Sequence, residues 1–147
     1  MGTAIEVNVQ EIEKLARNIN AWSLSVTETR SLLKSLGKEL EEQTVDRFDT
    51  EQDPEGRRWR KLTSAYAKRK VGNSLGGILV YEGGMRDSIE SQVPGADRVL
   101  IGSSKDYAGY HQQAKHEKRR RRFLGISLAN RDDLQDLITT FMEQRGL

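Results

Sequence analysis

The residues that could carry out catalysis are a few carboxylates and two histidines. Glu42, Asp46 and Asp49 share one side of a predicted helix, where carboxylates can act as acid and base or hold a divalent ion, as in a nuclease. His111 and His116 lie five residues apart, a spacing that does not put two metal ligands on one helical face. We interpret the carboxylates as a solvated or salt-bridged face, His111 as a residue at the core edge and His116 as solvated. The sequence therefore predicts no catalytic, cofactor-binding or metal site.

Two runs of basic residues stand out although the net charge is only +2. The run at 57–70 contains no acid, and the run at 115–122 contains one, Glu117. Such a run can bind phosphate or an acidic protein surface. Three roles stay open for the second run: a solvated charge run, a protein contact and direct contact with DNA. We do not expect it to read bases, because no recognition helix or pair of stacking aromatic residues accompanies it. The first run, which could face DNA, comprises Arg57, Arg58, Arg60, Lys61, Lys68, Arg69 and Lys70; Arg119, Arg120, Arg121 and Arg122 are the assembly candidates of the second.

Bulk composition limits the class of protein. The chain has 147 residues, which predicts one domain spanning 1–147. Apolar residues make up 35% and charged residues 31%, so we expect a modest core under a heavily charged surface. The chain has no cysteine, which excludes disulfides, zinc fingers and thiol catalysis. We identify neither a secretion signal nor an apolar stretch near the roughly 20 residues that span a membrane.

The first half of the chain is predicted to form a strand and two helices. Residues 3–9 alternate between apolar and polar side chains, as in a strand with one buried face. Helical spacing begins at Gln10 and gives a short first helix. The longest helix is predicted at 25–49, with Arg47 on its solvent-exposed side and Gly37 marking a close contact or a bend. Its apolar side comprises Leu32, Leu33, Leu36, Leu40 and Phe48.

The middle of the chain is rich in turn residues. Asp53-Pro54-Glu55-Gly56 predicts a turn, since proline presets one dihedral angle and glycine accepts positive φ. Trp59 and Leu62 then anchor the chain to the core. A short helix at 63–70 and a mobile glycine-rich loop at 71–77 are expected to follow. The β-rich stretch 78–81 comes next.

Two antiparallel strands are predicted at 86–93 and 98–103. Their apolar faces meet only if Val93 lies opposite Val99, which makes 94–98 the loop. A short helix is expected at 106–113. Asn130 with Asp133 predicts the start of the last helix, whose apolar stripe comprises Leu134, Leu137, Ile138, Phe141 and Met142. Together these elements predict an α+β fold with a small, mainly antiparallel sheet packed against a long helix and a C-terminal helix.

Aromatic residues could anchor either the core or an interface. Trp59 and Tyr66 have the character of core anchors. Tyr107 and Tyr110 could also be core residues, which we favour, but an interface role stays open because tyrosine is enriched in protein–protein interfaces.

The order of several short motifs resembles the phage virion morphogenesis family, also called the tail completion family. The resemblance covers nearly the whole chain and includes the strand at its start and the helix at its end. The motifs that carry it are Phe48, Asp53-Pro54 with Gly56 and Trp59, Leu62, Tyr66, Lys68-Arg69-Lys70, Ile78-Leu79-Val80, Gly84, Arg86-Asp87-Ser88-Ile89, Ile101-Gly102, Tyr107-Ala108, His111-Gln112 and Arg122-Phe123-Leu124-Gly125.

The chain departs from the family pattern in three places. Gly83-Gly84-Met85 stands where the family has Thr-Gly before its Leu-Arg-Ser-Ile motif, and Ala114 stands where a glycine is common. Arg119 to Arg122 replace a Pro-Ala-Arg-Pro turn. The last change removes a proline-stiffened turn and adds charge, which favours acidic partners.

The resemblance implies a non-enzymatic protein that needs no cofactor and completes the virion at the head–tail junction. Such proteins form rings, often of six subunits, around the path of the DNA. The implied partners are further copies of the chain and neighbouring neck, head-completion or tail-tube proteins, with no membrane involved. Assembly would take place in the cytoplasm of the bacterial host. We expect loops 71–77 and 114–122, with Tyr107, Tyr110 and His111, to make assembly contacts.

Two other functions compete with this interpretation. A free nucleic-acid-binding module would use the basic runs and show tight, steeply salt-dependent DNA binding. A nuclease would use the carboxylates at 42–49 with a divalent ion.

Overall fold

The structure, a computed structural model, describes residues 2–16, 24–60, 84–105, 107–113 and 121–146. These residues form the predicted α+β fold, with a small antiparallel sheet, one long helix and a C-terminal helix. In chain order the elements are β1 (Thr3–Asn8), α1 (Val9–Leu15), α2 (Val26–Thr50), α3 (Gly84–Asp87), β2 (Ile89–Gln92), β3 (Arg98–Ser103), α4 (Ala108–Gln113) and α5 (Leu128–Gln144).

The sheet has the strand order β1-β3-β2, with both neighbouring pairs antiparallel. Gln92 pairs with Leu100, so continuing the register places Val93 opposite Val99 and confirms the predicted longer loop. The predicted start of the second strand was wrong. Arg86 and Asp87 belong to the short helix α3, and β2 begins only at Ile89, after the Ser88 amide and hydroxyl have donated to the Met85 carbonyl.

Helix α2 packs on β2, β3 and α5 and is the centre of the fold. Ser25 and Glu28 form a reciprocal capping box that starts the helix, and Glu51 ends it in a left-handed conformation with φ of 56°. Gly37 faces the sheet, since a Cβ there would lie 2.7 Å from the Ser91 hydroxyl oxygen. This glycine therefore allows close approach of helix and strand. The predicted apolar residues Leu32, Leu33, Leu36, Leu40 and Phe48 are all buried.

Helix α5 covers the other side of α2 with its predicted apolar stripe. Leu134, Ile138 and Met142 are buried, and Leu137 packs at the edge. The predicted start at Asn130 was wrong. Ser127 is the N-cap residue, and Asn130 is the third helical residue of its capping box, so the helix begins one turn earlier.

Other local predictions are confirmed where the structure describes them. Asp53 to Gly56 form a turn, in which the Gly56 amide donates to the Asp53 carbonyl at 3.0 Å and Gly56 has φ of 85°. Trp59 is buried. The predicted helix at 63–70, loop at 71–77 and strand at 78–81 lie outside the described residues. None of the described helices is long and apolar enough to cross a membrane.

Candidate assembly site

Three side chains from distant parts of the chain hold the backbone of residues 122–125, and the His111 carbonyl accepts from the amide of the preceding Arg121. Arg47 comes from α2, Trp59 from the segment after the 53–56 turn and Gln112 from α4. We call this arrangement the clasp. It lies directly beside the basic residues that the sequence singled out for assembly.

Arg47 makes the most buried contacts of the clasp. Its Nη1 donates to the Phe123 carbonyl at 2.6 Å, and its Nη2 donates to the Gly125 carbonyl at 2.9 Å and to Asn130 Oδ1 at 2.6 Å. The residue is only 6% exposed, so its predicted place on the solvent-exposed side of α2 was wrong. Burial lowers its pKa to about 10, while Glu55 and Asp53 act in the opposite direction. Arg47 is therefore still charged at neutral pH.

Gln112 and Trp59 complete the clasp with neutral hydrogen bonds. Gln112 Oε1 accepts from the amides of Phe123 at 2.9 Å and Leu124 at 3.1 Å, and its Nε2 donates to the Leu124 carbonyl at 3.0 Å. Trp59 Nε1 donates to the Arg122 carbonyl at 2.8 Å. Between them, these two side chains bind backbone groups of three consecutive residues.

An aromatic cluster packs against the residues of the clasp. Phe48 contacts Trp59 edge-on with ring centroids 5.5 Å apart, and it contacts Phe123 at 5.6 Å. Gly125 has φ of 154°, and a Cβ there would lie 2.8 Å from Pro54 Cγ. Phe48, Trp59 and Gln112, which belong to separate motifs in the sequence, thus all contact residues 122–124.

The clasp presents the end of the second basic run. The Arg121 amide donates to the His111 carbonyl at 2.7 Å, which closes the base of the chain segment between them. The Arg121 guanidinium donates to the Arg60 carbonyl through Nη2 at 3.1 Å and through Nε at 3.3 Å. Arg122 forms an ion pair with Glu55 at 3.4 Å. The two basic runs, separate in sequence, therefore meet at Arg60 and Arg121.

The remaining predicted assembly and DNA-facing residues are only partly described. Arg57, Arg58 and Arg60 are exposed. The side chain of Tyr107 is 51% exposed, which favours an interface role over a core role. The structure does not describe the side chain of Tyr110. Other candidates outside the described residues are Lys61, Lys68, Arg69, Lys70, Arg119 and Arg120, together with His116.

His111 lies at the edge of the core, as predicted. It is half-buried, and its pKa is lowered, first by burial and then by the nearby charge of Arg121. The imidazole is therefore neutral at physiological pH.

The carboxylates considered for catalysis have structural partners or face solvent. The neighbouring Glu41 accepts from the amide and the hydroxyl of Ser91, both at 2.7 Å, and Asp49 forms an ion pair with Arg86 at 3.0 Å. Glu42 and Asp46 are exposed. Within the described ranges, no group of three or more His, Cys, Asp or Glu side chains is placed to hold a metal ion.

The sequence matches the phage virion morphogenesis family over residues 7–143. The chain belongs to this family. It is also 30% identical over 120 residues to a protein of Haemophilus influenzae called Mu-like prophage FluMu G protein 1, covering 80% of this chain and 76% of that protein. No solved structure matches the chain.

Membership of the phage virion morphogenesis family confirms the resemblance identified in the sequence. Gln112 was noted in the sequence only as part of a motif, and Arg47 was assigned to the wrong side of its helix. The sequence contains one signal that could have placed Arg47 correctly. Arg47 lies three residues after Thr44 and seven after Leu40, so helical spacing places it on the side of α2 that faces the core.

Proposed function

We propose that this protein is a structural, non-catalytic component that completes the head–tail junction of a tailed phage or prophage virion by assembling into a closed ring. Six subunits is the stoichiometry that we expect for the ring. Its partners are further copies of the chain and adjacent neck, head-completion or tail-tube proteins.

The observation that carries this proposal is that residues from separate motifs bind one stretch of backbone. Trp59 and Gln112 bind backbone groups of residues 122–124, and Phe48 packs against Trp59 and Phe123. An arrangement of this kind positions a loop for contact with another macromolecule. The family and the prophage relative support a role in the virion.

Native mass spectrometry of the purified protein tests ring formation. We expect a discrete oligomer, either alone or after addition of neck proteins. A strictly monomeric species under both conditions contradicts the ring.

Complementation tests the place of the protein in virion assembly. In a phage whose gene for this protein is disrupted, we expect free heads and free tails that join when the purified protein is added. Joined, infectious particles in normal numbers without the protein would contradict a role at the junction.

A second candidate function is nucleic-acid binding, which the exposed side chains of Arg57, Arg58 and Arg60 favour. A salt titration of DNA affinity separates the two functions. A binding module shows tight binding that weakens steeply with salt, whereas a junction component that merely surrounds passing DNA binds it weakly.

A further inference from the structure

An acidic groove of about 770 Å³ runs between the C-terminal half of α2, the 52–56 turn and the first turns of α5. Its cationic lining residues are Arg131 and Arg47, and the guanidinium of Arg47 is already engaged in the clasp. The carboxylates that line it are Glu39, Glu42, Asp46, Asp53, Glu55 and Asp133. The groove therefore has an excess of negative charge in a protein whose net charge is +2.

Some of these carboxylates are used within the chain and some are not. Asp53 accepts from the amides of Glu55 at 3.0 Å and Arg57 at 2.9 Å, and Glu55 is paired with Arg122. In the part of the chain that the structure describes, three further carboxylates that line the groove from α2 and α5 have no cationic partner. These three are Glu42, Asp46 and Asp133.

The charges of these three carboxylates also act on the pKa of the neighbouring Glu39. Burial raises the pKa of Glu39, its hydrogen bond with Gln43 acts in the opposite direction, and the charges of Glu42, Asp133 and Asp46 raise the pKa further. A cation placed among these groups would relieve the repulsion.

Gln43 provides an independent sign of a missing donor. Its side chain lines the groove and is only 7% exposed. Its Nε2 donates to Glu39 Oε1 at 3.3 Å and to the Asn130 carbonyl at 3.4 Å, which orients the amide. Its Oε1 is buried and has no hydrogen-bond partner among the described residues. Because buried acceptors are rarely left unpaired, this oxygen points to a donor that the described residues do not supply.

A group that supplies both hydrogen-bond donors and positive charge is a guanidinium or an ammonium. The chain itself carries such groups in the run at 115–120, directly before the clasped residues 121–125. Within one copy, Arg122 is already paired with Glu55 at the rim of the groove. When a groove binds a complementary segment of a neighbouring copy, the association is head-to-tail, and it closes into a ring if the rotation allows.

We propose that the acidic groove binds the basic segment 115–120 of a neighbouring copy of the chain, with an arginine or lysine side chain donating to Gln43 Oε1. The proposal rests on the proposed ring function, which it deepens by naming the contact between subunits.

A labelled synthetic peptide of residues 114–122 tests the groove directly, by fluorescence anisotropy with the full-length protein. The triple variant E42Q/D46N/D133N neutralises the unused carboxylates, and we expect it to weaken binding by at least about tenfold. The matched control D87N/D136N/E143Q removes the same charge from exposed positions outside the groove, and its affinity should stay within about twofold of the wild type. Equal losses in both variants, or no binding by the wild type, would overturn the proposal.

Gln43→Met tests the role of the unpaired oxygen while keeping a side chain of similar length. We expect several-fold weaker peptide binding at a melting temperature close to that of the wild type. Unchanged affinity would exclude Gln43 from the contact.

Native mass spectrometry of the triple variant separates this proposal from the proposed function. We expect the variant to be folded but no longer to form the oligomer. If the variant still assembles and still joins heads to tails, the docking site is wrong and the ring function stands. If the wild type neither assembles nor joins heads to tails, the ring function is wrong. The peptide assay then still tests whether the groove binds the basic segment.

Discussion

Replacing Arg47 by methionine should destabilise the protein by about 3 kcal/mol. The guanidinium makes three hydrogen bonds, to the carbonyls of Phe123 and Gly125 and to Asn130 Oδ1. Hydrogen bonds to charged groups contribute roughly 1.5–3 kcal/mol each, and their loss leaves acceptors unpaired. Burial disfavours the charged form and lowers the pKa of Arg47 to about 10, which offsets roughly 3 kcal/mol of the stability that the three hydrogen bonds contribute.

Thermal and urea denaturation followed by circular dichroism measure this effect. For a chain of 147 residues, the predicted loss corresponds to a melting temperature about 10 °C lower. Arg47→Lys should give an intermediate loss, since an ammonium cannot reproduce the planar fork that reaches all three acceptors. Arg131 is an exposed residue that lines the acidic groove, and Arg131→Met is the control. It should change the free energy of unfolding by less than about 0.5 kcal/mol. A melting temperature of Arg47→Met within about 2 °C of the wild type would refute the role assigned to the clasp.

Three further perturbations test the same region. Gly125→Ala should lower the free energy of unfolding by about 1–3 kcal/mol, because φ is 154° and the new methyl group would meet Pro54. Gly56 also has a positive φ, but a Cβ there would have nothing within 4 Å, so urea titrations should show a smaller loss for Gly56→Ala. Gln112→Ala should speed hydrogen exchange at the Phe123 and Leu124 amides, and unchanged protection there would argue against the clasp. Glu39→Gln should stabilise the protein at pH 7, because the raised pKa means that the folded state disfavours the carboxylate; this advantage should vanish below about pH 4, where the carboxyl is protonated in both states. A pH-independent difference in urea midpoint would contradict that reasoning.

The structure changes how the family motifs are interpreted. As sequence, they are weak individual signals spread from Phe48 to Gly125. In the fold, Phe48, Trp59 and Gln112 contact residues 122–124, and the two basic runs meet at Arg60 and Arg121.

Local patterns in the sequence were sufficient for most of the secondary structure. The alternation in residues 3–9 predicted β1, and the apolar spacing along 25–49 predicted α2, because side-chain period follows directly from backbone geometry. The register of β2 and β3 was also predictable, since a shift by one residue would have turned Val99 away from the core. The start of α5 was missed by three residues. Ser127 and Asn130 are both good capping residues, and only the tertiary position of Asn130 against Arg47 distinguishes them.

The sequence by itself therefore determined β1, α2, the register of β2 and β3, the turn at 53–56 and the uneven spread of charge. Only the tertiary structure decided which carbonyls Arg47 binds, that Gln112 binds the backbone of Phe123 and Leu124, and that carboxylates from α2 and α5 line one groove. The physical reason is distance along the chain. Arg47 and the carbonyl it binds in Phe123 are 76 residues apart, and no periodicity within a helix records a hydrogen bond of that kind.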